Sequence, residues 1–239
     1  MRPTDLATDL LDLVLARACL DCERLGRVLC SACLERRRGR IRNQVLPSGL
    51  TATAALEYVP DGRELVIAYK EHGTRALAPM LGVLLADAIA AARVTAGGAG
   101  CLLVPVPSHR GSRRGFDALG GIVRHAVPAL RARGLRVEVA RPVRGRGAYA
   151  PLKELGREAR RTEVAGAFGL DPAAVARVAA THRPLLIVDD VVTTGATVER
   201  IAAMLSEAGC AVAAVAAVAL VSPGRPAPSH APARPTLPR

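Results

Sequence analysis

Two acidic residues follow an apolar stretch and precede a loop rich in hydroxyl groups. Residues 185–197 read LLIVDDVVTTGAT, which places Asp189 and Asp190 directly after four apolar residues. A stretch that is apolar at every position is typical of a strand covered by helices on both faces.

Apolar residues at helical spacing from Val198 onward predict a helix. The carboxylates would then lie at the carboxyl end of a strand, where open α/β sheets bind ligands. Because free N–H groups at a helix N-terminus bind anions, we expect a phosphate at residues 193–197 and a cis-diol or Mg²⁺ at the carboxylates.

The same residues also fit an ordinary helix cap, because Asp and Thr are good N-cap residues. The complete run is more specific, and it resembles the phosphoribosyl pyrophosphate (PRPP) binding signature of type I phosphoribosyltransferases. The resemblance implies that Asp189 and Asp190 are catalytic and contact the ribose hydroxyls. It also implies that the 5′-phosphate is bound by the five loop residues Thr193, Thr194, Gly195, Ala196 and Thr197.

Near the start of the chain, four cysteines form two Cys-x-x-Cys pairs, Cys19 with Cys22 and Cys30 with Cys33. Seven residues separate the pairs, and this spacing can close a tetrahedral Zn²⁺ site. A disulfide pair and accidental core cysteines are the alternatives. We disfavour disulfides because acidic residues interrupt the apolar start of the chain, so that no secretion signal is predicted and a cytoplasmic protein is expected. Four protein ligands leave no open coordination position, which predicts a structural zinc.

A zinc knuckle in front of a phosphoribosyltransferase-like domain resembles the ComF family, bacterial proteins associated with competence and DNA uptake. Three further segments resemble that family: YKEHG at 69–73, VPVPSH at 104–109 with RRGF at 113–116, and VAGAF at 164–168. The resemblance covers about residues 10–221. It implies an α/β fold of the type I phosphoribosyltransferase (Rossmann-like) kind, with a parallel sheet flanked by helices. It also implies PRPP with Mg²⁺ as the ligand, DNA or competence proteins as partners, and an assembly compatible with a homodimer.

The segment after the predicted strand at 101–106 is expected to bind pyrophosphate, as the corresponding loop of type I transferases does. Arg110, Arg113 and Arg114 can donate charge-assisted hydrogen bonds, and Gly115 allows close approach. Alternatively, the Pro-Val-Pro run only ends a strand. Lys70 could contact the same anion or be a surface lysine.

The residues expected to bind the acceptor resemble the ComF family less closely than the predicted phosphate loop does. ComF-like proteins usually have Asn-Gln after Arg-Gly-Phe, where this chain has Asp117-Ala118, and the loss of amide donors implies that an acceptor is bound differently. His72 and His109 are general-base candidates, although a surface histidine is the favoured interpretation of each. No motif identifies the acceptor.

Composition bounds the remaining possibilities. Half of the 239 residues are apolar, which is enough for one core of ordinary domain size plus a small appendage. Three Tyr, two Phe and no Trp weaken the case for a single-stranded nucleic-acid site built on base stacking. No apolar run reaches the roughly 20 residues of a membrane span, so none is predicted.

The net charge of +12 is concentrated in arginine clusters at residues 23–42 and 141–161. Such clusters bind the phosphates of a small ligand or of a nucleic-acid backbone. A solvated helix face after the knuckle explains one group of them equally well: Arg36, Arg37, Arg38, Arg40 and Arg42.

Three regions are predicted: an N-terminal helix and zinc knuckle at 1–42, a phosphoribosyltransferase-like domain at 50–221, and a disordered Pro/Arg-rich tail at 222–239. Strands are expected at 53–59, 101–106, 136–143 and 211–221, and helices at 1–18, 61–71, 75–95 and 116–133. Residues 144–169 are predicted to form a mobile flap that closes over a ligand and excludes water.

Two functions fit these motifs. In the first, the protein is an enzyme that transfers the phosphoribosyl group of PRPP to an unidentified acceptor and releases pyrophosphate. Mg²⁺ and the arginines would stabilise the leaving group while the acidic pair holds the ribose. In the second, it is a non-catalytic accessory protein of DNA uptake that uses the same fold and a basic surface for protein partners or single-stranded DNA.

Overall fold

The computed structural model of the protein describes residues 18–96, 100–107, 116–145 and 167–222. Within these ranges the chain forms eight strands: β1 (Arg42–Val45), β2 (Thr51–Glu57), β3 (Gly100–Pro105), β4 (Arg136–Val139), β5 (Val143–Gly145), β6 (Phe168–Leu170), β7 (Leu185–Val192) and β8 (Val212–Leu220). Over the same ranges it forms six α-helices: α1 (Ser31–Arg37), α2 (Arg63–Lys70), α3 (Ala78–Ala96), α4 (Ala118–Ala132), α5 (Pro172–Ala179) and α6 (Ala196–Glu207).

Six of these strands form one sheet in the order β1-β2-β8-β7-β3-β4. All neighbours are parallel except β1 and β2, which are antiparallel. β5 and β6 form a separate antiparallel pair. Strands alternating with helices around a mostly parallel sheet confirm the predicted α/β class.

Helices cover both faces of the sheet, since successive side chains of a strand point to opposite sides. Leu186 and Val188 of β7 belong to the core that contains the apolar residues of α2, α3 and α4. Leu185 and Ile187 belong to a second core, formed with α5 and α6. This two-sided burial explains why residues 185–188 are apolar at every position.

The connections that follow β3 and β7 leave the sheet in opposite directions. β3 leads through α4 to β4 at one edge, whereas β7 leads through α6 to β8 on its other side. The carboxyl ends of these neighbouring strands therefore flank a crevice of the kind in which open α/β sheets bind ligands. The N–H of Val106 donates to the carbonyl oxygen of Val188 at 2.9 Å, so the chain beyond β3 begins beside the acidic pair.

Helix α3 is unusually apolar. Among the described residues, Arg75–Ala92 is the one helical segment long and apolar enough to cross a membrane, with a mean hydropathy of 1.6. More than half of this segment, 56%, is buried, and α3 packs against β2 and β8. A core helix has the same composition, so this segment is weak evidence for a membrane span, and the expectation of none stays a prediction.

Most predicted elements differ from the structure only at their ends, but three differ more. The strand expected at 136–143 is two strands, β4 and β5, because Pro142 has no N–H for a ladder and its carbonyl accepts from the N–H of Asp171 at 2.8 Å. Helix α5 was not predicted, although Asp171 as N-cap and Pro172 as first residue are a recognisable start signal. Strand β1 was not predicted.

Several predictions lie outside the described residues. These are the N-terminal helix before residue 18, the tail after residue 222, His109 and the proposed pyrophosphate residues Arg110, Arg113, Arg114 and Gly115. The predicted flap at 144–169 is described only where it joins β5 and β6.

Candidate functional site

The two acidic residues lie within β7 and point to opposite faces of the sheet. Asp190 shares the face of Val188 and reaches Lys70 at the end of α2. Asp189 lines a small pocket together with the loop residues Thr193–Thr197. Because side chains alternate along a strand, adjacent carboxylates are separated by the sheet itself. The structure therefore brings Asp189 together with the loop and pairs Asp190 with Lys70.

The loop after β7 leads directly into α6. Thr193 and Thr194 are exposed, and Gly195 adopts a left-handed conformation with φ +80° immediately before the helix. The N–H of Ala196 is 3.4 Å from the Thr194 hydroxyl, whereas those of Thr197 and Val198 have no acceptor in the described part of the chain. Unpaired N–H groups at a helix N-terminus, next to two exposed hydroxyls, form an anion-binding arrangement.

Packing also restricts the position of Gly195. A Cβ at this position would lie 2.7 Å from Cδ2 of Leu46, which is buried in the turn between β1 and β2. The same turn contacts α6 again, where the N–H of Ser48 donates to Glu199 Oε1 at 2.7 Å. The β1–β2 turn therefore braces the loop, and the sequence offered no signal for it because these contacts join distant parts of the chain.

Lys70 forms a close ion pair with Asp190. Its Nζ lies 2.9 Å from Oδ1 and 2.8 Å from Oδ2 of a residue that is only 7% exposed. The surface-lysine interpretation does not describe this position, because the ammonium is held by a buried carboxylate.

The residue before Lys70 anchors the end of α2. Tyr69 is buried, its hydroxyl donates to the carbonyl oxygen of Ala118 at 2.9 Å, and its ring meets Phe116 edge-on at 5.7 Å. Burial raises the pKa of Tyr69 to about 12, so the hydroxyl remains a donor at neutral pH. His72, two residues after Lys70, is exposed, in agreement with a surface histidine.

Asp189 has an unusual charge environment. Burial raises its pKa, the neighbouring Asp190 carboxylate adds to this effect, and the Asp190 N–H and Lys70 oppose it. The balance raises the pKa of Asp189 to about 8. A carboxyl group with a raised pKa is stabilised by a ligand hydroxyl that accepts its proton in a hydrogen bond or donates a hydrogen bond to its ionised form.

The four N-terminal cysteines form a compact cluster. Their Sγ atoms all lie within 4.8 Å of one another, and Cys22 Sγ is 3.7 Å from Cys30 Sγ. Zn–S bonds of about 2.3 Å in a tetrahedron place the sulfurs about 3.8 Å apart, so the cluster fits the ion. All of the described cysteines are free thiols in the structure. The cluster could hold a metal such as zinc.

Hydrogen-bond donors surround these sulfurs. Arg36 donates to Cys33 Sγ at 2.9 Å, and the N–H of Cys30 lies 3.4 Å from Cys19 Sγ. Burial raises the pKa of Cys19, but backbone N–H donors outweigh it and lower the pKa to about 6. Burial and the neighbouring sulfurs raise the pKa of Cys33 to about 12. A metal that binds all four sulfurs must displace the Cys33 proton.

Arginines after the knuckle are used within the fold. Arg37 Nε donates to Asp21 Oδ2 at 2.9 Å, and Arg38 Nε donates to Asp87 Oδ2 of α3 at 2.8 Å. Asp87 Oδ1 also lies 2.7 Å from an NH group of Arg133. The Arg38–Asp87 pair ties the knuckle to the main sheet domain, whereas the Arg37–Asp21 pair lies within the knuckle. Both arginines therefore serve structure and are not simply part of a solvated helix face.

Asp117 caps a helix. Its Oδ1 accepts from the N–H of Gly120 at 2.9 Å at the start of α4. Asp117 therefore has a structural role at the start of this helix.

No protein-family model matches the chain. A search of curated proteins likewise found no match. The resemblance to the ComF family thus rests on the motifs alone.

Proposed function

We propose that the protein binds PRPP in the crevice between β3 and β7 and transfers its phosphoribosyl group to an acceptor. The observation that carries the proposal is the pocket shared by Asp189 and residues Thr193–Thr197 at the carboxyl end of β7. One wall offers a carboxyl group for ribose hydroxyls, and the other offers hydroxyls and unpaired N–H groups for a phosphate. In this proposal the sheet and its helices are a type I phosphoribosyltransferase-like domain of a ComF-like protein.

The site lies where the connections diverge, which supports a ligand larger than a phosphate. Beyond Val106 the chain continues into residues 108–115, to which we assign pyrophosphate binding through Arg110, Arg113, Arg114 and Gly115. Val106, two residues before this segment, is hydrogen-bonded to Val188 next to the acidic pair, which supports the assignment. The Mg²⁺ implied by the family resemblance belongs to the pyrophosphate side of this proposal, and zinc belongs to the cysteine cluster as a structural ion.

The chemistry is a displacement at the anomeric carbon. The acceptor forms a bond to that carbon, the bond to the pyrophosphate oxygen breaks, and its electron pair leaves with pyrophosphate. Positive charge develops on the ribose ring, and the Asp189 carboxylate, in its ionised form, would place negative charge close to it. The acceptor loses its proton to solvent or to a base that the motifs do not identify.

Calorimetric titration of PRPP with Mg²⁺ into zinc-loaded protein tests the binding step. At pH 8.5 and above, where Asp189 is ionised, we expect saturable binding by the wild type and a loss of roughly tenfold or more in affinity in Asp189→Asn, because a charge-assisted contact to the ribose disappears. Glu207→Gln removes the same charge from the far, exposed end of α6 and serves as the matched control. Absence of PRPP binding by folded wild-type protein refutes the proposal.

Pyrophosphate release with a panel of bases and amines tests transfer. Tight PRPP binding with no release in any combination would favour the non-catalytic accessory role in DNA uptake, which shares the same pocket.

A further inference from the structure

The ion pair between Lys70 and Asp190 affects whether a divalent metal ion can bind at Asp190. The ammonium lies within 2.9 Å of both carboxylate oxygens, so it occupies the space between them. Asp190 is 7% exposed, and Lys70 is the last residue of a helix whose end is anchored by the buried Tyr69. The lysine is therefore built into the fold and is not a mobile surface group.

A divalent cation does not fit this arrangement. An ion bonded to either oxygen of Asp190 at about 2.1 Å would lie at most about 5 Å from the ammonium, where like charges repel strongly in a partly buried site. Asp189 does not supply a second ligand for such an ion, because it points to the other face of the sheet and lines the loop pocket. The adjacent carboxylates do not converge on one ion.

We propose that Lys70 is the internal counter-ion of Asp190, and that the ribose 5-phosphate part of the ligand is bound without a divalent cation on the acidic pair. This inference rests on the proposed function for the class of ligand. It assigns Lys70 a positioning role at the ribose end of the site, in place of the pyrophosphate contact that was one of the two interpretations of this lysine from the sequence. Any divalent cation in the complex is then held elsewhere.

Titration of Mn²⁺ into zinc-loaded protein, followed by electron paramagnetic resonance, tests the exclusion of the cation without any organic ligand. Wild-type protein should show no Mn²⁺ binding that depends on Asp190. Lys70→Met should gain such a site, and the double variant Lys70→Met, Asp190→Asn should lose it again. Arg63→Met removes a positive charge from the first residue of the same helix and should gain no site. Mn²⁺ bound by wild type and lost in Asp190→Asn overturns the inference.

A second titration uses ribose 5-phosphate in buffer freed of divalent cations, and then with Mg²⁺ added. Wild-type affinity should be the same in both buffers. Lys70→Met should bind roughly tenfold more weakly without Mg²⁺, because Asp190 loses a charge-assisted partner, and should recover when Mg²⁺ is added. Binding by wild type only with Mg²⁺ contradicts the inference. No binding by wild type in either buffer counts against the proposed function instead, and the Mn²⁺ result then still decides the role of Lys70.

Discussion

The side chain of Leu46 occupies the space next to Gly195 in which any other residue would place its Cβ. The closest approach, from Leu46 Cδ2 to that position, is 2.7 Å. Leu46 belongs to the turn between β1 and β2, at the opposite end of the sequence from the loop that it supports. The conformation of the candidate phosphate loop thus depends on the β1–β2 turn, which itself contributes no reactive group.

Gly195→Ala should therefore destabilise the protein by about 2 to 4 kcal/mol, because it combines a left-handed backbone conformation with overlap against Leu46. Urea unfolding measures the change in the free energy of unfolding. In the background of Leu46→Ala the added cost of Gly195→Ala should fall by about 1 kcal/mol or more, since the overlap is relieved. Strictly additive effects of the two substitutions would show that Leu46 does not restrict this position.

Asp189→Asn should stabilise the ligand-free protein, and the gain should grow with pH. The pKa of Asp189 is about 8 in the folded protein, against an ordinary value of about 4 in the unfolded chain. Between these values the folded state binds the proton more tightly, so the stability contributed by this group is complete below the lower pKa and is lost as the pH rises through the higher one.

We expect a gain of about 1 to 3 kcal/mol for Asp189→Asn near pH 8.5 and a much smaller gain near pH 5, measured by urea unfolding at both values. Asp190→Asn is the matched control, and it should destabilise the protein because Lys70 then lacks its partner. A gain for Asp189→Asn that does not depend on pH would contradict the assigned charge state.

Cys33→Ser should abolish zinc binding and loosen the knuckle. The four sulfurs lie within 4.8 Å of one another, and replacing one of them leaves an incomplete tetrahedron. Elemental analysis of purified protein should find zinc in the wild type and in Cys210→Ala, whose thiol is buried away from the cluster. Zinc retained in full by Cys33→Ser would argue against a four-cysteine site.

Asp87→Asn should weaken the attachment of the knuckle to the main domain. Asp87 accepts from both Arg38 and Arg133 and its side chain is only 10% exposed, so the substitution should cost about 1 to 3 kcal/mol. Thermal or urea unfolding measures this cost. Glu35→Gln removes the exposed partner of the same Arg38 and should change stability by less than about 0.5 kcal/mol. Equal effects of the two substitutions would mean that Asp87 does not link the two regions.

Local patterns predicted several elements correctly. The apolar run, acidic pair, loop and amphipathic segment at 185–207 form a strand, a turn and a helix, because burial on both faces and helical periodicity are properties of neighbouring residues. The cysteine spacing predicted the cluster for the same reason, since each pair lies within one short turn or helix start. The acidic pair was harder to interpret, because the strand continues through both residues and sends them to opposite faces.

By itself, then, the sequence determined the α/β class, the cysteine cluster and the place of the loop at the start of a helix, all of which follow from short-range spacing. Only the tertiary structure decided that Lys70 pairs with Asp190, 120 residues away, and that Leu46 packs on Gly195. These contacts depend on the order of strands in the sheet, which brings α2 and the β1–β2 turn to the end of β7. Strand order is set by the packing of the whole domain, because each strand must bury both of its faces at once, and no local pattern of residues contains that information.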